Sequence, residues 1–237
     1  MDASSLETIR ARAQESRQQN AHVRLLFPRG AASSLRADFA RCSIDLACEH
    51  HSAIARLVLA GEYGSAAAML RPLLEASGIA SWLLYCASCE FINGLPTDAA
   101  TAEGRIRDLP LIDELARDLL PIFPAIKVLS DGLKNRGPAT VLHKYTHGGA
   151  AQLVRRGPGW NEGEVMFMLI RSDLFSILAS AAETVIATNA DLSAYTFGRR
   201  DDLGKELERL FGLGPFPEQP DHWPTILADG CGAPFSA

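Results

Sequence analysis

Apolar residues along this chain return every three or four positions, and nowhere do they settle into the every-second-residue alternation of a half-buried strand. That periodicity restricts the fold to helices that bury apolar stripes against one another. The expected class is therefore all-α, a helical bundle of five to seven helices with an irregular C-terminal tail. A first helix is expected over Ser4 to Phe27, stopped by Pro28-Arg29-Gly30, and a second over Ser33 to Ala60, with Ser33 or Ser34 as N-cap and Gly61 as the stop. The third, Ser65 to Phe91, is so rich in alanine and leucine that it belongs at the centre of the bundle.

Prolines 110, 121 and 124 then cut the chain into short helices, at Asp98 to Asp108, Leu111 to Leu120 and Ala125 to Leu133. A further helix starts near Pro138 and carries Val141 to Arg156, and the last long one runs from Glu162 to Asn189. Residues 1–197 are read as the bundle domain. Residues 198–237 are read as one short charged helix, Asp201 to Phe211, and a tail docking on the body through Phe216, Trp223 and Ile226.

Composition excludes some functions. At 237 residues, 47% apolar and with a net charge of -5, the chain can bury a core but has no general basic field for nucleic acid or an anionic membrane. Its first twenty residues lack the apolar core of a signal peptide, so a cytoplasmic location is expected. No membrane span is expected either. The two most apolar stretches are interrupted, Ala66 to Ala87 by Arg71 and Glu75, and Val165 to Ala187 by Arg171, Asp173 and Glu183. The five cysteines lie in apolar patterns and are expected as reduced core thiols; Cys86 and Cys89 form a Cys-x-x-Cys without a second pair.

Function is sought in polar residues that do not suit a core. His143 and His147 share one helix face, with Tyr145 between them and Gln152, Arg155 and Arg156 within three turns. Either they are helix-packing histidines, or they ligate a metal, or His143 is a general acid or base with Arg136 on a phosphate. No glutamate follows the first histidine and no Glu-x-x-His occurs, so neither a metallopeptidase nor a di-iron bundle is indicated; no metal and no cofactor is expected. Arg71 and Glu75, four apart in an apolar run, read first as an intrahelical ion pair around an odd Pro72. The second helix adds Asp45, Glu49, His50 and His51. Packing could gather Glu49, His50 or His51, Arg71, Glu75, His143 and His147 into one polar pocket.

Two strings carry a resemblance: Gly-Glu-Tyr-Gly-Ser-Ala-Ala-Ala-Met-Leu-Arg-Pro-Leu-Leu-Glu-Ala at 61–76, with Trp82 soon after, and Tyr-Thr-His-Gly-Gly-Ala-Ala-Gln-Leu-Val-Arg-Arg at 145–156. They resemble the signatures of a group of uncharacterised bacterial helical proteins over about Ala32 to Asn189. The resemblance implies a shared fold and a pocket carried by Arg71, Glu75, Tyr145, His147, Gln152 and Arg155. More distantly the chain is similar to HEPN domains, helical modules of toxins and antiphage systems. Many of these are RNases in which four to six residues separate an arginine from a following histidine. Arg136 and His143 have that spacing, as do Arg17 and His22, although Gly137-Pro138 stands where a polar residue is common. The HEPN likeness implies a metal-independent RNase or defence-associated effector acting as a homodimer, with His143, His147 and Arg136 catalytic. The alternatives are a non-enzymatic protein that binds an anionic small molecule or a protein partner, and a metal-dependent enzyme.

Overall fold

The computed structural model describes residues 1–28, 30, 33–96, 108–123, 152–153, 155, 157–212, 227 and 231. Among them are seven helices and no strand: α1 (Ala3–Leu26), α2 (Leu35–Leu59), α3 (Tyr63–Tyr85), α4 (Cys89–Asn93), α5 (Ile112–Leu119), α6 (Glu162–Ala187) and α7 (Ala190–Phe211). The expected all-α bundle is what forms, with five long helices making its body.

The ends of the helices follow from their sequence. Asp2 accepts from Ser5 N at 2.8 Å to open α1, and Ser34 accepts from Ala37 N to open α2. Gly61 takes a φ of +79° just past α2, a conformation that costs glycine nothing, and the chain turns at once into α3. α6 opens with a capping box, in which Asn161 accepts from Glu164 N and the Glu164 carboxylate accepts from Asn161 N. It closes on Thr188, a β-branched residue held at φ +46°. The next residue, Asn189, caps α7 with its side-chain oxygen and donates from Nδ2 to Leu26 O at 3.1 Å. One asparagine thus joins the ends of α1, α6 and α7.

Directions are set by paired residues. Arg41 meets Glu183 and His51 meets Asp173, so α2 and α6 run antiparallel in matched register. Ser43 Oγ donates to Ala76 O across the α2–α3 hairpin. Arg12 meets Glu206 and Gln19 meets Arg199, which sets α7 antiparallel to α1. The main core lies where α2, α3 and α6 meet, around Ile44, Ile54, Leu73, Leu84 and Leu169. Ile170, Leu203 and Leu207 form a smaller cluster between α6 and α7. Gly78 lies on α3 where a Cβ would stand 3.3 Å from Leu115 Cδ1, so its bareness lets α5 pack close.

α6 is the one described helix long and apolar enough to cross a membrane, and 67% of that window is buried within the bundle. It is touched by α1, α2, α3 and α7.

Several expectations need correction. α3 ends at Tyr85, not near Phe91, because Ser88 leaves helical geometry and caps the separate α4 through Phe91 N. The short charged helix expected at Asp201 to Phe211 is the second half of α7, which passes through Gly198 unbroken because Leu192, Thr196, Leu203 and Leu207 keep one face buried. The cysteines are not all thiols. Cys89 and Cys231 are joined in a disulfide, while Cys86 of the Cys-x-x-Cys donates to Asp118 O at 3.5 Å. Burial pushes the Cys48 thiol up to about 12 and Cys86 to about 11, so both stay protonated at neutral pH. The tail is anchored at two described points, this disulfide and Leu227 N donating to Leu84 O at 3.3 Å. Phe216, Trp223 and Ile226 lie outside the described residues, as do all but Asp108 of the expected helix at Asp98 to Asp108, the one at Ala125 to Leu133 and most of Val141 to Arg156.

Candidate functional site

The residues singled out in the sequence fall into three groups. Arg136, His143, Tyr145 and His147 lie outside the described residues. Arg71 and Glu75 form the intrahelical pair their spacing suggested, Nε to Oε1 at 2.7 Å, with side chains 17% and 29% exposed and Pro72 carried inside α3. Gln152 and Arg155 sit at the end of the bundle where α3 and α6 begin. Gln152 Nε2 donates to Gly64 O at 3.5 Å, and Arg155 pairs with Glu164 while lying 5.3 Å over the Trp160 ring. Trp160 in turn stands 6.4 Å from Tyr63, the first residue of α3. On α2, Glu49 is exposed, and His50 beside it is half-buried and held below the ordinary histidine value by burial, with Glu49 opposing. Of the second arginine–histidine pairing, Arg17 is exposed and His22 packs on the Tyr195 ring at 4.8 Å.

A denser polar site lies elsewhere, where α1, α2, α6 and α7 meet. Asp173, 4% exposed in the middle of α6, is its hub. One carboxylate oxygen faces His51 Nε2 at 2.7 Å; the other accepts from Arg12 Nη2 at 2.6 Å and from Ser16 Oγ at 3.2 Å. Arg12 also donates to Ser16 Oγ at 2.7 Å and makes a fork on Glu206, at 2.9 and 3.1 Å. Arg199 stands 3.9 Å from Asp173 and donates to Gln19 Oε1 at 2.6 Å. Two guanidinium groups thus face two carboxylates, and the charge closes on itself.

That closure explains the ionisation of the hub. Burial alone would push the Asp173 carboxyl up, but His51 and Arg12 outweigh it and hold the group below the usual carboxylate range. Burial likewise works against the Arg12 cation, and Asp173 and Glu206 overcome it. The ring nitrogen of His51 that faces a carboxylate must carry a proton. In the neutral ring this leaves Nδ1 as an acceptor. His51 Nδ1, Asn20 Oδ1 and Thr196 Oγ1 are all buried without a protein partner.

Ten residues further along α6, Glu183 faces Arg41 at 3.0 Å, yet its other oxygen is buried without a partner. Burial dominates there and pushes the carboxyl up to about 7, against the pull of Arg41. Among the described residues no three of His, Cys, Asp and Glu converge as a metal site requires.

Asp173 and Glu183 both announced themselves as charges inside an apolar run. Arg12, Ser16 and Glu206 did not, because they belong to helices that are polar throughout and their partner is over 150 residues away in the chain for Arg12. On α2 the buried histidine is His51, one residue after the His50 singled out as a ligand residue.

The fold and its buried network define an all-α bundle braced by charge. Residues 44–200, more than half of the chain, match the model of a family of unknown function, DUF6988, and the chain belongs to that family. The matched stretch holds His51, Arg71, Glu75, Asp173, Glu183 and Arg199, while Arg12, Ser16 and Glu206 lie outside it. No curated protein matches the chain, and no solved structure does.

Proposed function

We propose that this protein is a HEPN-like, metal-independent RNase whose site lies on the flank of α3, at the end where α6 begins. The observation that carries this reading is Gln152, whose side chain reaches Gly64 on the first turn of the helix bearing Arg71 and Glu75. Gly64 and Arg71 are separated by about 10 Å of helix. His147 precedes Gln152 by five residues, a length of chain spanning at most about 17 Å. The two sequence signatures are therefore within reach of one another, on a flank where Arg71, Glu75 and Arg155 are partly exposed. In the reaction, a ribose 2′-hydroxyl attacks the adjacent phosphorus. His143 or His147 takes the proton, Arg136 or Arg155 stabilises the phosphorane charge, and the 5′-oxygen leaves to give a 2′,3′-cyclic phosphate.

The test is incubation of the purified protein with single-stranded RNA in the presence of chelator. The reading expects cleavage to cyclic-phosphate ends that falls at least a hundredfold in His147→Ala and Arg136→Ala, on the order of what loss of an acid–base or oxyanion-stabilising group costs. Intact RNA with folded wild-type protein overturns it.

One observation favours a second reading, a non-enzymatic binding protein. Arg71 already faces Glu75, and Arg155 already faces Glu164, so the flank is balanced in charge and any phosphate must displace a carboxylate. A thermal shift with an anionic small molecule, without turnover, would favour binding. An all-α bundle of this kind also suits action as a homodimer, which sedimentation would reveal.

A further inference from the structure

We infer that the Cys89–Cys231 disulfide is a redox-active site, opened by a dithiol reductant, with Arg36 holding the thiolate that leaves. The bond joins the first residue of α4 to the C-terminal tail, 142 residues further along the chain. Both cysteines are partly exposed, which leaves the bond within reach of a reductant in solvent, while Arg36 beside them is 2% exposed. Nη1 of Arg36 donates to Leu83 O and, at 2.8 Å, to Ala87 O, which ties the start of α2 to the end of α3. Nη2 turns to the sulfur pair, 3.2 Å from Cys231 Sγ and 3.7 Å from Cys89 Sγ. Anchoring α3 thus uses one nitrogen, and the other places a permanent cation on the bond.

The cation favours the open form, because a disulfide sulfur is a weak acceptor and a thiolate facing a guanidinium is a charge-assisted one. A contact that strengthens on reduction shifts the equilibrium toward two free thiols and makes the sulfur nearer Arg36 the better leaving group. The exchange runs in two steps. A thiolate of the reductant attacks Cys89 Sγ, a mixed disulfide forms, and the electron pair of the broken bond leaves on Cys231 Sγ against Arg36. The reductant's second thiolate then attacks its own sulfur in that mixed disulfide and expels Cys89. The protein gains two electrons, the reductant becomes a disulfide, and its two thiol protons pass to solvent or to the cysteine sulfurs. The second thiol comes from outside, since Cys86, three residues before Cys89, donates to Asp118 O and stays protonated at neutral pH. Opening the bond leaves Leu227 N on Leu84 O and Cys231 beside Arg36 as the tail's ties among the described residues.

The test is reduction of the folded full chain by dithiothreitol at neutral pH, with the released thiols alkylated and mapped by mass. Cys89 and Cys231 are expected to appear together while far-UV circular dichroism stays native. In folded Arg36→Met the rate should fall about tenfold, the order of the gain from pairing one thiolate with a cation. In urea the two chains should react at one rate. The sign discriminates, because an arginine that only braced α2 on α3 would, once removed, loosen the junction and speed reduction. A bond that opens only in urea, or a folded Arg36→Met chain reduced as fast as the wild type or faster, overturns the proposal. A second readout leaves Arg36 in place. In Cys231→Ser, alkylation of Cys89 should reach its midpoint at a lower pH in the folded chain than in urea; a midpoint that is equal or higher contradicts it.

Discussion

Two junctions hold this bundle together, and they do so by different physics. Where α2, α3 and α6 meet, the contacts are Ile44, Ile54, Leu73, Leu84 and Leu169, each almost wholly buried, and the attraction is removal of apolar surface from water. Where α1 and α7 close on α6, Asp173 gathers Arg12, Ser16 and His51, and Arg12 carries the tie on to Glu206. α1 contributes only Ile9, Ala13 and Val23 as buried apolar residues, so charge and hydrogen bonds do most of its docking. An apolar junction tolerates loss of a side chain in proportion to the void left behind. A charged one fails when a single partner leaves, because the remainder is buried and unpaired.

The largest expected effect follows from that asymmetry. Asp173→Ala takes the partner from buried His51 and one of two carboxylates from Arg12, which keeps Glu206, and should cost about 3 kcal/mol by urea unfolding. Leu73→Ala, fully buried at the apolar junction, should cost about 3 kcal/mol, and its loss should spread over the α2–α3 hairpin instead of freeing one helix. Replacing the buried members of the hub, with Arg12→Met, His51→Leu and Asp173→Leu together, leaves only Glu206 and Arg199, both partly exposed, and should cost less than Asp173→Ala alone. If the triple variant is as damaged as Asp173→Ala, the network contributes net stability and the contrast between the two junctions fails.

The smallest effect separates the two buried carboxylates of α6 by sign. Asp173 is held below its ordinary value, so its contribution is present at neutral pH and is lost as pH falls through the acid range. Glu183 is raised from 4.5 to about 7, so the folded state holds its proton more tightly than the unfolded chain. Its effect is full below 4.5 and fades as pH rises to about 7. Glu183→Gln should therefore gain on the wild type between pH 4.5 and 7 in melting temperature, and run parallel to it above. A constant difference across that window would place Glu183 outside the titration.

Much of the fold was legible because helix ends are local. Ser34, Gly61 and Pro28 mark the limits of α1 and α2 through capping and turn chemistry that involves only neighbours. The limits of α3 and α7 were harder, since Ser88 ends one helix where apolar spacing continues, and buried Leu203 and Leu207 carry the other past Gly198. Of the candidate site, the Arg71–Glu75 pair was readable as an i,i+4 pair, and Asp173 as a charge in an apolar run. The hub's other members were not readable. Arg12 sits in a helix polar on most sides, and its place on the side of Ile9 and Ala13, which Arg17 five residues later does not share, is a weak signal in so polar a stretch. Periodicity also left open which of His50 and His51 turns inward, since they are adjacent and the helix stripe is wide.

The most direct test of the charge-braced junction is amide hydrogen exchange in Asp173→Ala beside the wild type. Charge docking predicts that α1 loses its protection while α2, α3 and the rest of α6 keep theirs, because only the polar junction has been opened. Protection in α1 that is unchanged, or that falls equally across every helix, would show that α1 is held by the apolar core after all.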